Sequence, residues 1–173
     1  MMKRGPIEEM SDVEVASFAR EVLVRKLTDR AHSRADLAQT LAQKQVPAEV
    51  AEAVLDKFEA AGLINDAEFA RSWVQSRQRS KGLARNVLAM ELRRKGVDEE
   101  TAQEALSELD PDVERQAAHQ LVQKKLRTMA GLDQQVQIRR LTGLLARKGY
   151  SPRVAFDVVR EELDVEAQAL ESL

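Results

Sequence analysis

The sequence predicts an all-α protein: three tandem repeats of a three-helix unit forming an elongated, curved helical array. Three observations lead there. Ala, Leu, Glu, Gln, Lys and Arg dominate the 173 residues, nearly the ranking of helix formers, while glycine (7) and proline (4) are scarce. The chain matches itself when displaced by 51 residues. Turn and cap residues then recur at the same points of each copy. With 43% hydrophobic and 32% charged residues the composition is that of a globular chain, not a disordered one. Aromatic content of 3% leaves little for base-stacking platforms.

The internal match is specific. Between residues 18–58 and 69–109, twelve of 41 positions are identical. Phe18-Ala19-Arg20 aligns with Phe69-Ala70-Arg71, and Leu37, Leu41, Lys44, Val46 and Leu55 align with Leu88, Leu92, Lys95, Val97 and Leu106. About three matches are expected by chance, so the repeat is genuine. A further shift of 53 places Leu88, Leu92, Arg94, Lys95 and Gly96 on Leu141, Leu145, Arg147, Lys148 and Gly149, a more diverged third copy.

Nine helices follow, near 12–30, 33–44, 47–60, 65–79, 83–95, 98–109, 111–129, 133–148 and 151–163. In the first copy Ser33 and Asp36 have the spacing of a capping box. In the second, Asn65 is an N-cap with Asp66 and Glu68 in the first turn, and Asp98 caps the helix that opens with Glu99-Glu100. Gly96 and Gly149 can take the left-handed conformation that ends a helix, and Ser151-Pro152 restarts the chain as cap and first helical residue. Gln45 stands where the other copies have glycine. A left-handed backbone there costs roughly 1 kcal/mol, so the first copy is expected to turn differently or less stably. The divisions are a flexible N-terminal tail at 1–11, repeats at 12–61, 62–110 and 111–164, and an acidic C-terminal tail at 165–173. Each copy is small, so neighbours must share buried surface.

Charge follows the repeat. The net value of −2 conceals bands of +3 over 20–34, −5 over 49–68, +7 over 71–95, −8 over 98–114, +6 over 124–148 and −5 over 157–173. Acidic helix starts and basic helix ends complement the helix macrodipole, and stacked copies can pair opposite bands. The basic 71–95 band fits that explanation less well. At 100° per residue Arg85, Asn86, Ala89 and Arg93 share one arc, with Leu83, Val87, Leu88, Met90 and Leu92 around the rest. A basic strip extended by Arg71, Arg77, Arg79 and Lys81 is expected to face a polyanionic or acidic partner. The residues expected to bind a partner are these four with Arg85, Arg93, Arg94 and Lys95, and, in the third copy, Arg139, Arg140, Arg147 and Lys148.

Other chemistries find no motif. There is no cysteine, hence no disulfide or thiolate site. No glycine-rich phosphate loop, HExxH helix or zinc spacing occurs, so neither an enzyme nor a cofactor is expected. His32 and His119 are expected to be solvated, and Phe69 and Trp73, four apart, to face the core. No signal peptide or span of about 18 apolar residues is evident, which makes a cytoplasmic location the expectation.

The stretch Gly62-Leu63-Ile64-Asn65-Asp66-Ala67-Glu68-Phe69-Ala70-Arg71-Ser72-Trp73-Val74-Gln75-Ser76-Arg77 resembles the signature "GLlDDxxFAxxfvxxR" of the RecX family, regulators of the bacterial recombinase RecA. Glu91–Val97 and Leu144–Tyr150 are similar to that family's "LxxKGi" and "LxrrGf" turns. Asn65 and Gln45 depart from its usual acidic residue and glycine, changes that concern caps and turns. The resemblance, over roughly 15–163, implies a non-enzymatic all-helical protein; a monomer is expected. It further implies binding to the RecA–single-stranded-DNA filament, with contact to the DNA a further expectation, and depression of ATP hydrolysis, strand exchange and co-protease activity. The competing expectation is a helical protein that binds nucleic acid directly. Balanced charge and few aromatics weigh against it.

Overall fold

A computed structural model describes residues 5–172, and among them every regular element is helical. The helices are α1 (Asp12–Asp29), α2 (Arg34–Gln43), α3 (Ala48–Ala60), α4 (Asp66–Lys81), α5 (Arg85–Arg94), α6 (Glu99–Ser107), α7 (Pro111–Leu126), α8 (Gln134–Arg147) and α9 (Pro152–Glu171). Each begins and ends close to its expected position, with one exception. The helix α9 runs through the stretch expected to be an acidic tail, because Asp164–Glu171 contains no glycine or proline and is rich in helix formers. The 1–11 segment is the one expected to be a flexible tail. A 3₁₀ turn forms at Ile7–Glu9, and Ile7 and Met10 pack against the first core. Residues 1–4 of that segment lie outside the described residues.

The caps show why the helices start where they do. Ser11 and Glu14 form a reciprocal capping box on α1. Ser33 forms only half of one: it accepts from Asp36 N–H at 3.2 Å, but the Asp36 carboxylate is drawn instead to Lys95 Nζ. Asn65, Asp98 and Ser151 cap α4, α6 and α9 through side-chain oxygens, as their spacing predicts.

By contacts the described residues group into two compact units. One holds the residues up to Ala70 with Leu92–Ala102, the other Arg71–Glu91 with Gln103 onward. In the first, Val15, Ala19 and Leu23 of α1 meet Leu37 and Leu41 of α2 and Val54, Leu55 and Phe58 of α3 in one buried cluster. In the second, Ala118 and Val122 of α7, Leu141 and Leu145 of α8 and Ala155, Val158 and Val159 of α9 form the corresponding cluster. The repeated leucines thus occupy equivalent core positions in the first and third copies.

The turn after the second helix has one geometry in all three copies. Val46, Val97 and Tyr150 N–H donate to the carbonyls of Leu41, Leu92 and Leu145, and Gln45, Gly96 and Gly149 N–H to those of Ala42, Arg93 and Ala146. This is the Schellman closure, with a left-handed residue at φ 64°, 72° and 98° respectively. Gln45 therefore does not redirect the first turn; it adopts the same conformation at a cost.

Glycine is demanded elsewhere for a second reason. A Cβ on Gly96 would lie 2.3 Å from the Ala35 Cβ, and one on Gly149 would lie 2.7 Å from the Val87 backbone N. In both cases the turn of one copy presses on the first turn of the second helix in the preceding copy. Ser33 Oγ donates to the Lys95 carbonyl (2.6 Å), and Ala84 N–H, at the position equivalent to Ser33, donates to the Lys148 carbonyl (2.8 Å). Gln45, in contrast, is exposed.

Gly149→Ala is expected to destabilise by about 2–4 kcal/mol, combining a left-handed alanine with a backbone clash. Gln45→Gly is expected to stabilise by about 0.5–1 kcal/mol, since only conformational strain is removed. Urea denaturation of both variants beside the parent checks the pair; equal responses at the two turns would contradict the assigned packing.

Candidate functional site: the free and the committed cations

The twelve basic residues singled out above divide into two classes. Arg77 belongs to the fold. Its guanidinium lies over the Trp73 ring, 5.1 Å from the centroid, and its Nε donates to Glu91 Oε2 at 3.0 Å. The Trp73 indole N–H donates to the same oxygen at 2.9 Å. The half-buried Trp73 therefore keeps a polar handle, while Phe69 is buried as expected. Lys95 is half-buried and paired with Asp36 at 3.2 Å. Lys148 is half-buried, its ammonium donating to the Lys81 carbonyl at the end of α4, where the helix dipole favours a cation. Of the expected partner-binding set, these three have partners within the fold, in packing between turns and helices.

The other nine are exposed. In the second unit Arg71 borders a groove on α4 shared with Val74, Leu109, Glu108 and Asp110, and Arg79 borders one with a volume near 390 Å³ lined by Gln75, Gln78, Gln116 and Gln120. Lys81 and Arg85 are also exposed there, and Arg93 and Arg94 are exposed in the first unit. Arg93 meets Glu99 at 3.3 Å, but with the two side chains 72% and 63% exposed this pair contributes little. Met90, expected on the buried side of α5, is half-exposed beside Asn86 and Arg93 on the helix wheel.

The strongest concentration is on α8. Arg139, Arg140 and Arg147 converge with Lys125 and Thr128 from the end of α7 around a cleft of about 490 Å³, its floor formed by Met129 and Leu144. No carboxylate lines it, and among the described residues none of the four cations has an acidic partner. Lys125 was inside the basic band read from sequence but was not singled out; its approach to Arg139 depends on how α7 packs on α8. Four unpaired cations around one cleft suit phosphate oxygens or a cluster of carboxylates.

The histidines are not solvated as expected. His119 lies between two α9 carboxylates, Nδ1 at 2.7 Å from Glu162 and Nε2 at 3.2 Å from Glu161, and so ties α7 to α9. His32 is half-buried, with Nε2 lacking any partner. Burial, and then the charges of Arg30 and Lys26, hold its pKa below the usual 6.5, so the ring is neutral at pH 7. Among the described residues no group of three or more His, Asp or Glu side chains is placed to hold a metal, and no helix is long and apolar enough to cross a membrane.

The Arg77 hydrogen bond first, opposed by partial burial and reinforced by Trp73, holds the Glu91 carboxyl below its ordinary value of 4.5. Its contribution to stability is full above that value and is lost as pH falls through the depressed folded-state pKa. Glu91→Gln is thus expected to cost about 1–3 kcal/mol at neutral pH, with the difference from wild type shrinking below pH 4.5. Urea denaturation across pH 7 to 3 checks this; a pH-independent difference would contradict it.

Comparison with known proteins places the whole arrangement. Family models described as the first, second and third three-helix domains of RecX match residues 19–58, 65–106 and 112–159. The regulatory protein RecX of Streptomyces coelicolor is 45% identical over 170 residues, covering 98% of this chain and 86% of that protein. The regulatory protein RecX of Thermobifida fusca is 47% identical over 148 residues, covering 86% and 80%. Among solved structures, RecX from Lactobacillus salivarius superposes with a TM-score of 0.79 at 18% identity, covering 87% of this chain and 97% of that one. A second RecX crystal structure gives 0.78 at 22%, covering 94% and 82%. At those identities the two structures speak for the fold, and the full-length relatives for the family. Three consecutive domain matches, in the order of the three sequence repeats, make this chain a member of the RecX family of regulatory proteins.

Proposed function

We propose that this chain binds the RecA–single-stranded-DNA filament and depresses recombinase activity (ATP hydrolysis, strand exchange and co-protease function) by limiting filament extension or promoting disassembly. Membership of the RecX family supports this reading, and the cleft of Lys125, Arg139, Arg140 and Arg147 carries it, because a filament offers repeated phosphates and acidic protomer surfaces. Exposed Arg71, Arg79, Lys81, Arg85, Arg93 and Arg94 supply further contacts elsewhere on the chain. Several weak contacts on one chain gain affinity through effective concentration when the target is itself repetitive.

Direct binding to nucleic acid is the second reading, favoured by the absence of acid from the cleft. The two separate in a salt series: autonomous DNA binding loses affinity with a log–log slope of about 0.7–0.9 per phosphate contacted.

Added to cognate RecA on single-stranded DNA, the protein is expected to lower the DNA-dependent ATPase and to sediment with preformed filaments. Arg139→Glu with Arg147→Glu is expected to weaken filament binding by about tenfold or more while leaving the melting temperature close to wild type, because both side chains are exposed and unpaired. An unchanged ATPase with no sedimentation overturns the filament reading. Normal inhibition by the double variant overturns the role of the cleft.

A further inference from the structure

The first and third copies treat the crease between their second and third helices in opposite ways. In the first copy Arg34 crosses it, reaching Asp56 at 2.7 Å and Glu52 at 2.8 Å and also pairing with Glu59. The successive shifts of 51 and 53 residues that align the copies put Ile138, Phe156, Arg160 and Leu163 at the positions of Arg34, Glu52, Asp56 and Glu59. In place of an ionic strap the third copy has an open apolar groove of about 230 Å³, lined by Ile138, Phe156, Val159 and Leu163 with Arg160 and Asp164 at its edge. Leu163 and Ile138 serve the buried cluster of the third copy; Phe156 is outside it, and the first copy has the charged Glu52 at its position. Phe156 is left 50% exposed.

Phe156, Leu163 and Leu170 recur every seven residues on one face of α9, over about 21 Å at 1.5 Å per residue; Leu163 is buried in the core cluster, and Phe156 and Leu170 stand exposed on either side of it. Leu170 is 68% exposed. A seam of this length with a pocket at one end is the shape that receives an amphipathic helix, and the pocket is smaller than the roughly 300–1,000 Å³ of small-molecule sites.

Charge selects among occupants. Asp157, Asp164, Glu166 and Glu171 leave the rest of α9 acidic, with Arg160 the only base from 157 onward; Glu161 and Glu162 are engaged by Arg115 and His119 of α7. Nucleic acid is repelled by such a surface, and a second copy would bring the same acidic helix against it. We propose that the α8–α9 groove and the apolar face of α9 dock an amphipathic helix of a protein partner, apolar on one side and flanked by lysine or arginine. The identification of that helix with part of a recombinase protomer rests on the filament reading above; the docking surface itself does not.

Two variants of the full chain test it: Phe156→Ser, which preserves charge while emptying the rim of the pocket, and Phe156→Leu, which keeps it apolar. Each is assayed for sedimentation with preformed RecA filaments and for binding, by fluorescence anisotropy, a labelled synthetic helix with leucines on one face and lysines elsewhere. A helix with glutamate replacing lysine is the control, and thermal melts report folding. The expected result is that Phe156→Ser binds the lysine helix and the filament about tenfold or more weakly, that Phe156→Leu stays close to wild type, and that the glutamate helix does not bind. Loss of peptide binding in Phe156→Ser beside wild-type protein that ignores filaments would retain the groove and sink the filament reading. Filament binding indifferent to Phe156→Ser, with no Phe156-dependent binding of the lysine helix, would overturn the groove and spare that reading. A wild-type dimer dispersed by Phe156→Ser would identify a second copy as the occupant and also overturn the proposal.

Discussion

A left-handed turn closing the second helix of each copy is the constraint from which the architecture follows. The turn brings Leu41, Leu92 and Leu145 into register with the apolar residue that follows it, and it fixes the direction in which the third helix leaves. In the second and third copies the same turn is also a contact surface, seated on the first turn of an earlier helix. Methyl-to-methyl and methyl-to-backbone distances of 2.3 and 2.7 Å leave no room for a Cβ at Gly96 or Gly149. A single backbone motif therefore serves both the interior of a copy and its junction with the preceding one.

That junction also draws in polar side chains. Ser33 gives its hydroxyl proton to the Lys95 carbonyl, and Asp36 gives up the reciprocal half of its capping box to hold the Lys95 ammonium. The Asp66 carboxylate accepts from the Arg34 backbone N–H at the start of α2. In the other unit the Tyr150 hydroxyl donates to the Gly82 carbonyl beside the Lys148–Lys81 contact. Part of the alternating charge is thus structural, as the macrodipole and stacking explanation holds, and part is free. The free part is concentrated where α7 ends against α8, around a cleft that no carboxylate lines.

Within this division the third copy is the most specialised. It carries the acid-free cleft on one helix pair and the apolar groove on another, whereas the first copy closes the equivalent crease with Arg34. Sequence divergence in the third copy is accordingly a change of surface, with the buried leucines and the turn retained. The third copy thus carries two unlike surfaces, one basic and one apolar.

The helices were legible in the sequence because their determinants are local. Apolar spacing, Asn65, Asp98 and Ser151 as caps, and the left-handed residues at 45, 96 and 149 act within a few positions along the chain. The same locality explains what was missed. No breaker marks the end of α9, so nothing local separates a helix from a tail in its acidic stretch. The strain at Gln45 is local, at φ 64°, but its tolerance has a tertiary origin: the residue is exposed, with no packed helix turn against it. Among the cations, spacing could not separate Arg77, Lys95 and Lys148 from Arg139, Arg140 and Arg147, since their partners lie 14, 59 and 67 residues away. Composition, period and caps by themselves determined three copies of a three-helix unit and the recurrence of basic helices within them. Which of those charges remain available was decided only by the tertiary structure, because a charge is committed or free according to what packing brings within hydrogen-bonding distance.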